Sequence, residues 1–226
     1  IALEDRVHEW NGLIERSDSR VSAKDMYCGE HWSVVRNIHD NGCNVSILSA
    51  GFGFIGINSE ITRYDATFTA GDKNSILQSS TAMSRDEWNI GWWKQLNRVR
   101  EDKCSLSELY LHNKSDCFFI TVPPLYLSVI QPELITLKEA GLVTPMNTFI
   151  ISSGTNISSS LRELYLPVSA DFSVFLRGSR GTLGIRMAQY FIDGLTGVES
   201  IANTIRYRHS KLLEMSQKPI KYNRKK

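Results

Sequence analysis

The spacing of hydrophobic residues along the chain predicts short buried strands alternating with amphipathic helices. Apolar runs rich in β-branched and aromatic residues, each bounded by turn residues, predict strands at 44–49, 117–122 and 148–152. Apolar residues at helical spacing predict helices at 3–15, 30–40, 84–101, 105–112, 125–130, 133–140, 183–192 and 197–215. Because strands separated by helices usually pair in parallel, we expect an α/β fold with a mainly parallel sheet flanked by helices.

The first predicted strand leads into a glycine-rich turn. Gly51, Gly53 and Gly56 follow it, and glycine allows backbone angles that direct amide groups into a shared space. Polar side chains of four different kinds come next, at Arg63, Tyr64, Asp65 and Thr67. The stretch is consistent with a ligand site beyond the carboxyl end of a strand, or with a tight turn held by its own polar side chains.

Two further stretches concentrate groups that are capable of chemistry. The segment 27–32 contains Tyr27, Cys28, His31 and Trp32 just before a predicted helix, which suggests a pocket wall or, equally, a loop anchored in the core. A thiol near a helix start and a histidine can act as a nucleophile, although a lone cysteine is usually inert. The segment RGSRGT, 177–182, precedes another helix, and its arginines suggest either an anion cradle or a tight turn with solvated charges.

The helix predicted at 84–101 combines tryptophans with basic residues. Ser84 is the expected N-cap, with Glu87 in the capping-box position. One face carries Trp88, Trp92 and Leu96, and the other carries Trp93, Lys94, Arg98 and Arg100. A tryptophan stripe favours a core position, whereas tryptophans among cations can also stack on bases or contact a partner.

Length and charge bound the domain organisation. A chain of 226 residues can form one α/β domain, predicted at 1–205. The segment 206–226 holds eight Lys and Arg residues against Glu214 alone, so we expect a basic C-terminal tail that can contact nucleic-acid phosphates.

No apolar run approaches a membrane span and no signal-peptide pattern opens the chain, so the expected location is the cytoplasm. Neither a metal nor a cofactor motif is present in the spacing of Cys and His residues.

Four motifs in this order resemble the YaaA-like family of bacterial α/β proteins. They are AKDMYCGEHW, SAGFGFI, RYDATFTAGD and GSRGTLGIRMA, and the likeness covers roughly residues 20–195. The matching positions are Asp25, Tyr27, Gly29, His31, Trp32, Ser49, Gly51, Gly53, Tyr64, Asp65, Thr67, Gly178, Ser179 and Arg186. The resemblance implies a YaaA-like fold and a cytoplasmic, nucleic-acid-linked protein.

The resemblance also implies a chemistry. Its DpdC-like branch belongs to gene clusters that place 7-deazaguanine bases in DNA, so our first hypothesis is an enzyme that converts the nitrile of 7-cyano-7-deazaguanine in DNA to the amide. In that hypothesis the catalytic residues are Asp65, which would orient or deprotonate, and Tyr64 and His31, one of which would donate a proton. The substrate-binding residues are Tyr27, Trp32, Ser49, Gly51, Gly53 and Thr67. The phosphate-binding residues are Arg177, Gly178, Ser179, Arg180 and Arg186.

Two other classes of function compete with this hypothesis. The same residues are compatible with a non-catalytic DNA-binding protein of stress or phage defence that recognises phosphate or an unusual base. An assembly subunit of a modification complex is the third class, and it would present the helix at 84–101 to partner proteins. The expected partners are therefore modified or single-stranded DNA and proteins of a modification cluster.

Overall fold

A computed structural model describes residues 2–77, 83–99 and 105–217. Within these ranges the α-helices are α1 (Leu3–Glu15), α2 (Ala23–Met26), α3 (Glu30–Asp40), α4 (Arg85–Val99), α5 (Leu106–His112), α6 (Pro124–Glu139), α7 (Ser173–Leu176), α8 (Leu183–Ile192) and α9 (Ile201–Ser216). The strands are β1 (Arg20–Ser22), β2 (Ser46–Ser49), β3 (Gly53–Gly56), β4 (Glu60–Thr62), β5 (Phe118–Thr121), β6 (Thr148–Ser152) and β7 (Tyr165–Pro167). Short 3₁₀ segments cover Ser159–Leu164 and Ala170–Phe172.

A parallel sheet of three strands lies between two layers of helices. Its order is β5-β6-β7, so the fully buried β6 is central. Side chains alternate across β6: Phe149 and Ile151 pack in one core with residues of α3, α8 and α9, while Ile150 packs in the other with residues of α4 and α6. The expected α/β class, with helices flanking parallel strands, is confirmed at this level.

The expectation that the first predicted strand belongs to this sheet is wrong. β2 instead forms an antiparallel hairpin with β3, in which Ser49 pairs with Gly53. The glycine-rich segment after β2 is therefore a hairpin turn, and Gly53, at φ 72°, adopts a left-handed conformation there. β1 and β4 form a second antiparallel pair, so the strands are less uniformly parallel than the pattern predicts.

The carboxyl ends of β5 and β6 meet, as expected for parallel neighbours. A Cβ added to Gly154, which follows β6, would lie 2.8 Å from the Cβ of Pro124, which follows β5. Gly184, in the first turn of α8, approaches the same edge, since a Cβ there would lie 3.0 Å from Thr121 Oγ1. The loops after these strands and the start of α8 therefore surround one edge of the sheet.

The tryptophans of α4 belong to the core. Trp88, Trp92 and Trp93 are all buried, which removes the aromatic face that a partner or base would need. The predicted capping box is confirmed, because the Ser84 amide donates to Glu87 Oε2 at 2.9 Å and the Glu87 amide donates to Ser84 Oγ at 3.3 Å. Positions 100 and 101 lie outside the described residues.

The two helices predicted at 125–130 and 133–140 are one helix, α6, with Pro132 inside it. Pro132 provides no N–H for the helix, and packing on both sides of it keeps the helix continuous. The buried residues that pack in the same core are Val129, Ile130, Leu134 and Leu137. Among the described helices, none has both the length and the apolar character of a membrane span.

The first half of the predicted basic tail is folded. Residues 206–216 belong to α9, where His209 and Leu212 are buried. Arg206 donates to the carbonyl oxygens of Glu163 and Pro145 at 3.1 and 3.0 Å, which ties this helix to the loops around the sheet. The remaining residues of the predicted tail, 218–226, lie outside the described residues.

Candidate functional site

Three hydroxyl groups from separate parts of the chain form a continuous hydrogen-bonded chain. Ser49 ends β2, Tyr64 follows β4 and Tyr27 precedes α3. The Tyr64 hydroxyl lies 2.6 Å from Ser49 Oγ and 2.6 Å from the Tyr27 hydroxyl. We call these three groups the hydroxyl chain. It unites one predicted catalytic residue with two predicted substrate-binding residues.

The backbone of the hairpin turn sets the direction of proton donation along the hydroxyl chain. Ser49 Oγ accepts hydrogen bonds from the amides of Gly51 at 3.3 Å and Phe52 at 3.0 Å. A hydroxyl has two acceptor sites and one proton, so Ser49 is left to donate to Tyr64. Tyr64 then donates to Tyr27, whose hydroxyl has no other hydrogen bond within the described ranges. The Tyr27 proton is therefore the one available to a ligand.

Burial keeps the middle of the hydroxyl chain protonated. The pKa of Tyr64 is raised far above its ordinary value, chiefly because burial disfavours the phenolate. Tyr126, at the start of α6, interacts electrostatically with both Tyr64 and Tyr27, and burial raises its pKa to about 12. The sequence analysis missed Tyr126, although its place just after a predicted strand end and Pro123-Pro124 pointed to the same edge.

An aromatic stack and a histidine adjoin the end of the hydroxyl chain. The rings of Tyr27 and Trp32 stack with centroids 4.3 Å apart and planes 13° apart. Because Tyr27 covers one face of the indole, a ligand group that reaches the Tyr27 hydroxyl meets the edge of this stack. His31 meets Trp32 edge-on, with ring centroids 5.6 Å apart.

His31 favours the neutral form near pH 7. Burial lowers its pKa, and the Gly181 backbone partly opposes that shift. One nitrogen of a neutral imidazole keeps a free lone pair, so His31 can accept a proton. Cys28 is exposed, and among the described contacts its sulfur makes no hydrogen bond to His31.

Side chains of the protein hold the backbone of the hairpin turn. Besides the amides held by Ser49, the carbonyl oxygen of Ala50 accepts from Trp92 Nε1 at 2.8 Å, and that of Gly51 accepts from Trp10 Nε1 at 2.7 Å. The amides of Gly51 and Phe52 therefore have a protein partner. Of the two interpretations of this turn, the geometry favours the one in which side chains hold it closed.

Gly51 makes room for Tyr64. A Cβ at Gly51 would lie 2.5 Å from Cδ2 and Cε2 of Tyr64. We expect Gly51→Ala to displace the Tyr64 ring, break its hydrogen bonds and lower the free energy of unfolding by about 1–3 kcal/mol, as measured by urea denaturation. Gly12→Ala is the matched control: nothing lies within 4 Å of its added Cβ, so this helical site should gain about 1 kcal/mol. Equal stability of Gly51→Ala and the native protein would contradict the packing described.

Two predicted site residues lie in a loop of their own. Asp65 is exposed and accepts a hydrogen bond from Asn74 Nδ2 at 2.5 Å. Thr67 forms an isolated bridge with Ser75, and its hydroxyl donates to Thr69 at 3.2 Å. These contacts fold the loop 65–76, and none of them joins it to the hydroxyl chain. The structure does not bring Asp65 or Thr67 together with Tyr64.

The segment 177–186 meets the segment 29–32 through a salt bridge. Arg186 donates to Glu30 Oε1, with its Nη2 at 2.7 Å. Gly178 allows this arrangement, since a Cβ there would lie 2.5 Å from Arg186 Cδ. Ser179 accepts the amides of Thr182 and Leu183 at its carbonyl oxygen, which closes the turn into α8. Arg186 therefore already has an anionic partner in the protein.

Arg177 and Arg180 are exposed, and no salt bridge involves either of them in the described part of the chain. Arg177 has φ 50°, the left-handed conformation that is uncommon for a residue with a side chain. The Arg180 side chain lines an open concavity next to α7 and the end of α9, and Tyr27, Tyr64 and Trp32 do not line it. The arginines predicted to bind phosphate and the hydroxyl chain are thus separate parts of this region, and the segments that carry them meet at the Arg186–Glu30 salt bridge.

Comparison of the chain with protein-family models, with curated proteins and with solved structures finds no match. In the described ranges, no three His, Cys, Asp or Glu residues are arranged to hold a metal ion.

Proposed function

We propose that this protein is a DNA-modification enzyme that hydrates the nitrile of a 7-deazaguanine base to the amide. The observation that carries the proposal is the hydroxyl chain, whose direction of donation leaves a proton at Tyr27 beside the Trp32 ring and the neutral His31. An aromatic edge against which a base can lie, a proton donor and a proton acceptor within one group of contacts are the parts that the reaction needs. The four YaaA-like motifs supply these residues, and that likeness supports the choice of substrate.

The reaction can be assigned to the side chains one step at a time. The base lies against the edge of the Tyr27–Trp32 stack with its nitrile at the Tyr27 hydroxyl, and His31 removes a proton from a water whose oxygen attacks the nitrile carbon. The nitrile nitrogen takes the proton of Tyr27, which gives an imidic acid. Transfer of the hydroxyl proton of the imidic acid from oxygen to nitrogen yields the amide. The net reaction adds one water molecule to the nitrile. Tyr27, which is partly exposed, regains a proton from solvent, and His31 releases one to solvent.

The assignment differs from the sequence hypothesis in two roles. Tyr27, which the sequence predicted to bind the substrate, becomes the proton donor. Tyr64 donates a hydrogen bond to Tyr27 and does not contact the substrate itself. His31 replaces Asp65 as the base, because Asp65 is held by Asn74 in a separate loop. We assign Arg177 and Arg180 to phosphate, since their charges are not paired with acidic residues of the described chain.

Incubation of the protein with a single-stranded oligonucleotide that carries 7-cyano-7-deazaguanine tests the proposal. After digestion to nucleosides, mass spectrometry should show a product heavier by one water, and ¹⁸O-labelled water should place the label in the amide. Absence of this product at all enzyme concentrations would reject the enzymatic function. Tight binding of the same oligonucleotide without turnover would support the non-catalytic DNA-binding alternative.

The pH dependence of amide formation follows from the pKa of His31. A general base acts only when unprotonated, and burial holds this pKa below its ordinary value of 6.5. We therefore expect the rate to rise with pH in the acidic range and to be constant near neutral pH. A pH–rate profile of the native protein should show this limb, and His31→Gln should remove it together with most of the activity. A limb that persists in His31→Gln would assign it to another group.

A further inference from the structure

Two open concavities lie on the side of the molecule where β6 and β7 end. The first, of about 330 Å³, is lined by Phe175 and Arg180. The second, of about 470 Å³, is lined by Gly154 and Arg162. Gly154 follows β6 closely, so the second concavity opens at the carboxyl edge of the parallel sheet, where open α/β sheets bind ligands. Both volumes are within the range of small-molecule sites.

The two concavities lie side by side. Ser169 lines the second, and the next residues, Ala170 and Asp171, line the first. On α9, Leu213 lines the second, and Ser216, three residues further along the same face, lines the first. Because neighbouring residues of two elements line both, we treat the concavities as one feature and call it the groove.

The groove combines exposed apolar side chains with cations that form no salt bridge in the described part of the chain. Arg180 lies in one half and Arg162 in the other, and both are exposed. The Phe175 side chain is 40% exposed beside Arg180. One carboxylate, that of Asp171, also lines the groove, and it accepts a hydrogen bond from Ser169 Oγ at 3.0 Å. Arginines that follow a phosphate backbone, with an aromatic ring on which a base can stack, are the features of single-strand binding.

The groove adjoins the candidate active site along the segment 177–186. Arg180 lines the groove, and Arg186 of the same segment donates to Glu30 Oε1 at 2.7 Å, beside His31. His31 in turn contacts Trp32, against which the target base would lie. A strand that lies in the groove therefore passes close to the base-binding position at this segment.

We propose that the groove is the binding path for single-stranded DNA, with Phe175 stacking on a flanking base and Arg180 and Arg162 holding consecutive phosphates. The placement of the target base rests on the proposed function, whereas binding of the strand to the groove does not. A duplex fits less well, because its bases are already stacked on each other and cannot stack on Phe175.

Fluorescence anisotropy with a labelled, unmodified single strand of about 12 nucleotides tests the proposal. Arg180→Gln should weaken binding about fivefold at low salt and reduce the slope of log affinity against log salt by about 0.7–1. Phe175→Ala should weaken binding about tenfold without changing that slope. Lys114→Gln, which removes a cation before β5 at the opposite sheet edge, and Tyr207→Ala, which removes an aromatic ring that is 62% exposed on α9, are the matched controls and should bind as the native protein does.

Several results would overturn the groove proposal. Native affinity of both Arg180→Gln and Phe175→Ala would do so, as would equal losses in Arg180→Gln and Lys114→Gln. So would a loss that appears only when the five cations of 218–226 are replaced by Gln, since binding would then belong to that segment. Because the probe carries no nitrile, weakened binding in the groove variants together with no amide formation would keep the groove and reject the chemistry alone.

Discussion

Replacement of Tyr27 by Phe should slow amide formation by about 10²- to 10³-fold, the usual effect of removing one donor to a developing negative charge. The substitution deletes the hydroxyl at the end of the hydroxyl chain and keeps the ring that stacks on Trp32 at 4.3 Å. Substrate binding should therefore change little. Single-turnover rates with the nitrile oligonucleotide, measured by mass spectrometry, separate the chemical step from binding.

Two further variants establish whether the hydroxyl chain acts as a unit. Tyr27→Phe/Tyr64→Phe should be no slower than Tyr27→Phe alone, because Tyr64 acts only through Tyr27. Tyr110→Phe is the control for loss of a buried phenol: Tyr110 is 1% exposed and bonded to Thr148 at 3.1 Å in the core. That variant should lose about 1 kcal/mol of stability and keep its rate. A rate loss in Tyr110→Phe equal to that in Tyr27→Phe would show a general effect of destabilisation.

Replacement of Trp92 by Ala should cost about 3–5 kcal/mol of folding free energy, a large part of the stability of a typical domain. Trp92 is 1% exposed, donates to the carbonyl oxygen of Ala50 at 2.8 Å and packs edge-on against Trp10. Its loss leaves both a cavity and an unpaired carbonyl group in the core. Thermal and urea unfolding measure the change, and Tyr207→Ala provides an exposed aromatic control that should stay within about 0.5 kcal/mol of the native protein.

The same substitution should also disturb the site, because Trp92 holds the hairpin turn on which Ser49 depends. Trp92→Phe keeps most of the packing and removes only the indole donor, so it should cost less than Trp92→Ala. If Trp92→Ala had the same urea midpoint of unfolding as the native protein, the assignment of α4 to the core would be wrong.

Local sequence patterns predicted the elements of this fold better than their arrangement. The predicted 3–15 and 30–40 helices coincide with α1 and α3, since amphipathic spacing reports directly on which face is buried. The pairing of β2 with β3 was missed because GFIG, residues 53–56, resembles a flexible loop, and the left-handed Gly53 that closes the hairpin has no distinctive local signal. Pairing partners depend on the whole chain, which a local pattern does not describe.

The sequence predicted only part of the candidate site, because local motifs identify single residues and not the contacts between distant ones. The motifs identified Tyr27, Tyr64 and Ser49 individually, and the structure adds that these distant residues share hydrogen bonds. Asp65 is adjacent to Tyr64 in the sequence, yet it bonds to Asn74 instead. Adjacent residues in extended backbone point in opposite directions, so closeness in sequence does not imply a shared site.

The infrared stretch of the nitrile in the bound base reports whether the Tyr27 hydroxyl donates to it. A phenol that donates to a nitrile nitrogen shifts this stretch to higher frequency, so the oligonucleotide bound to the native protein and observed before turnover should show the shift. Tyr27→Phe should abolish the shift, and Tyr110→Phe should retain it. A nitrile stretch that is unchanged on binding to the native protein, or a shift that is preserved in Tyr27→Phe, would contradict the assignment of the Tyr27 hydroxyl as the proton donor.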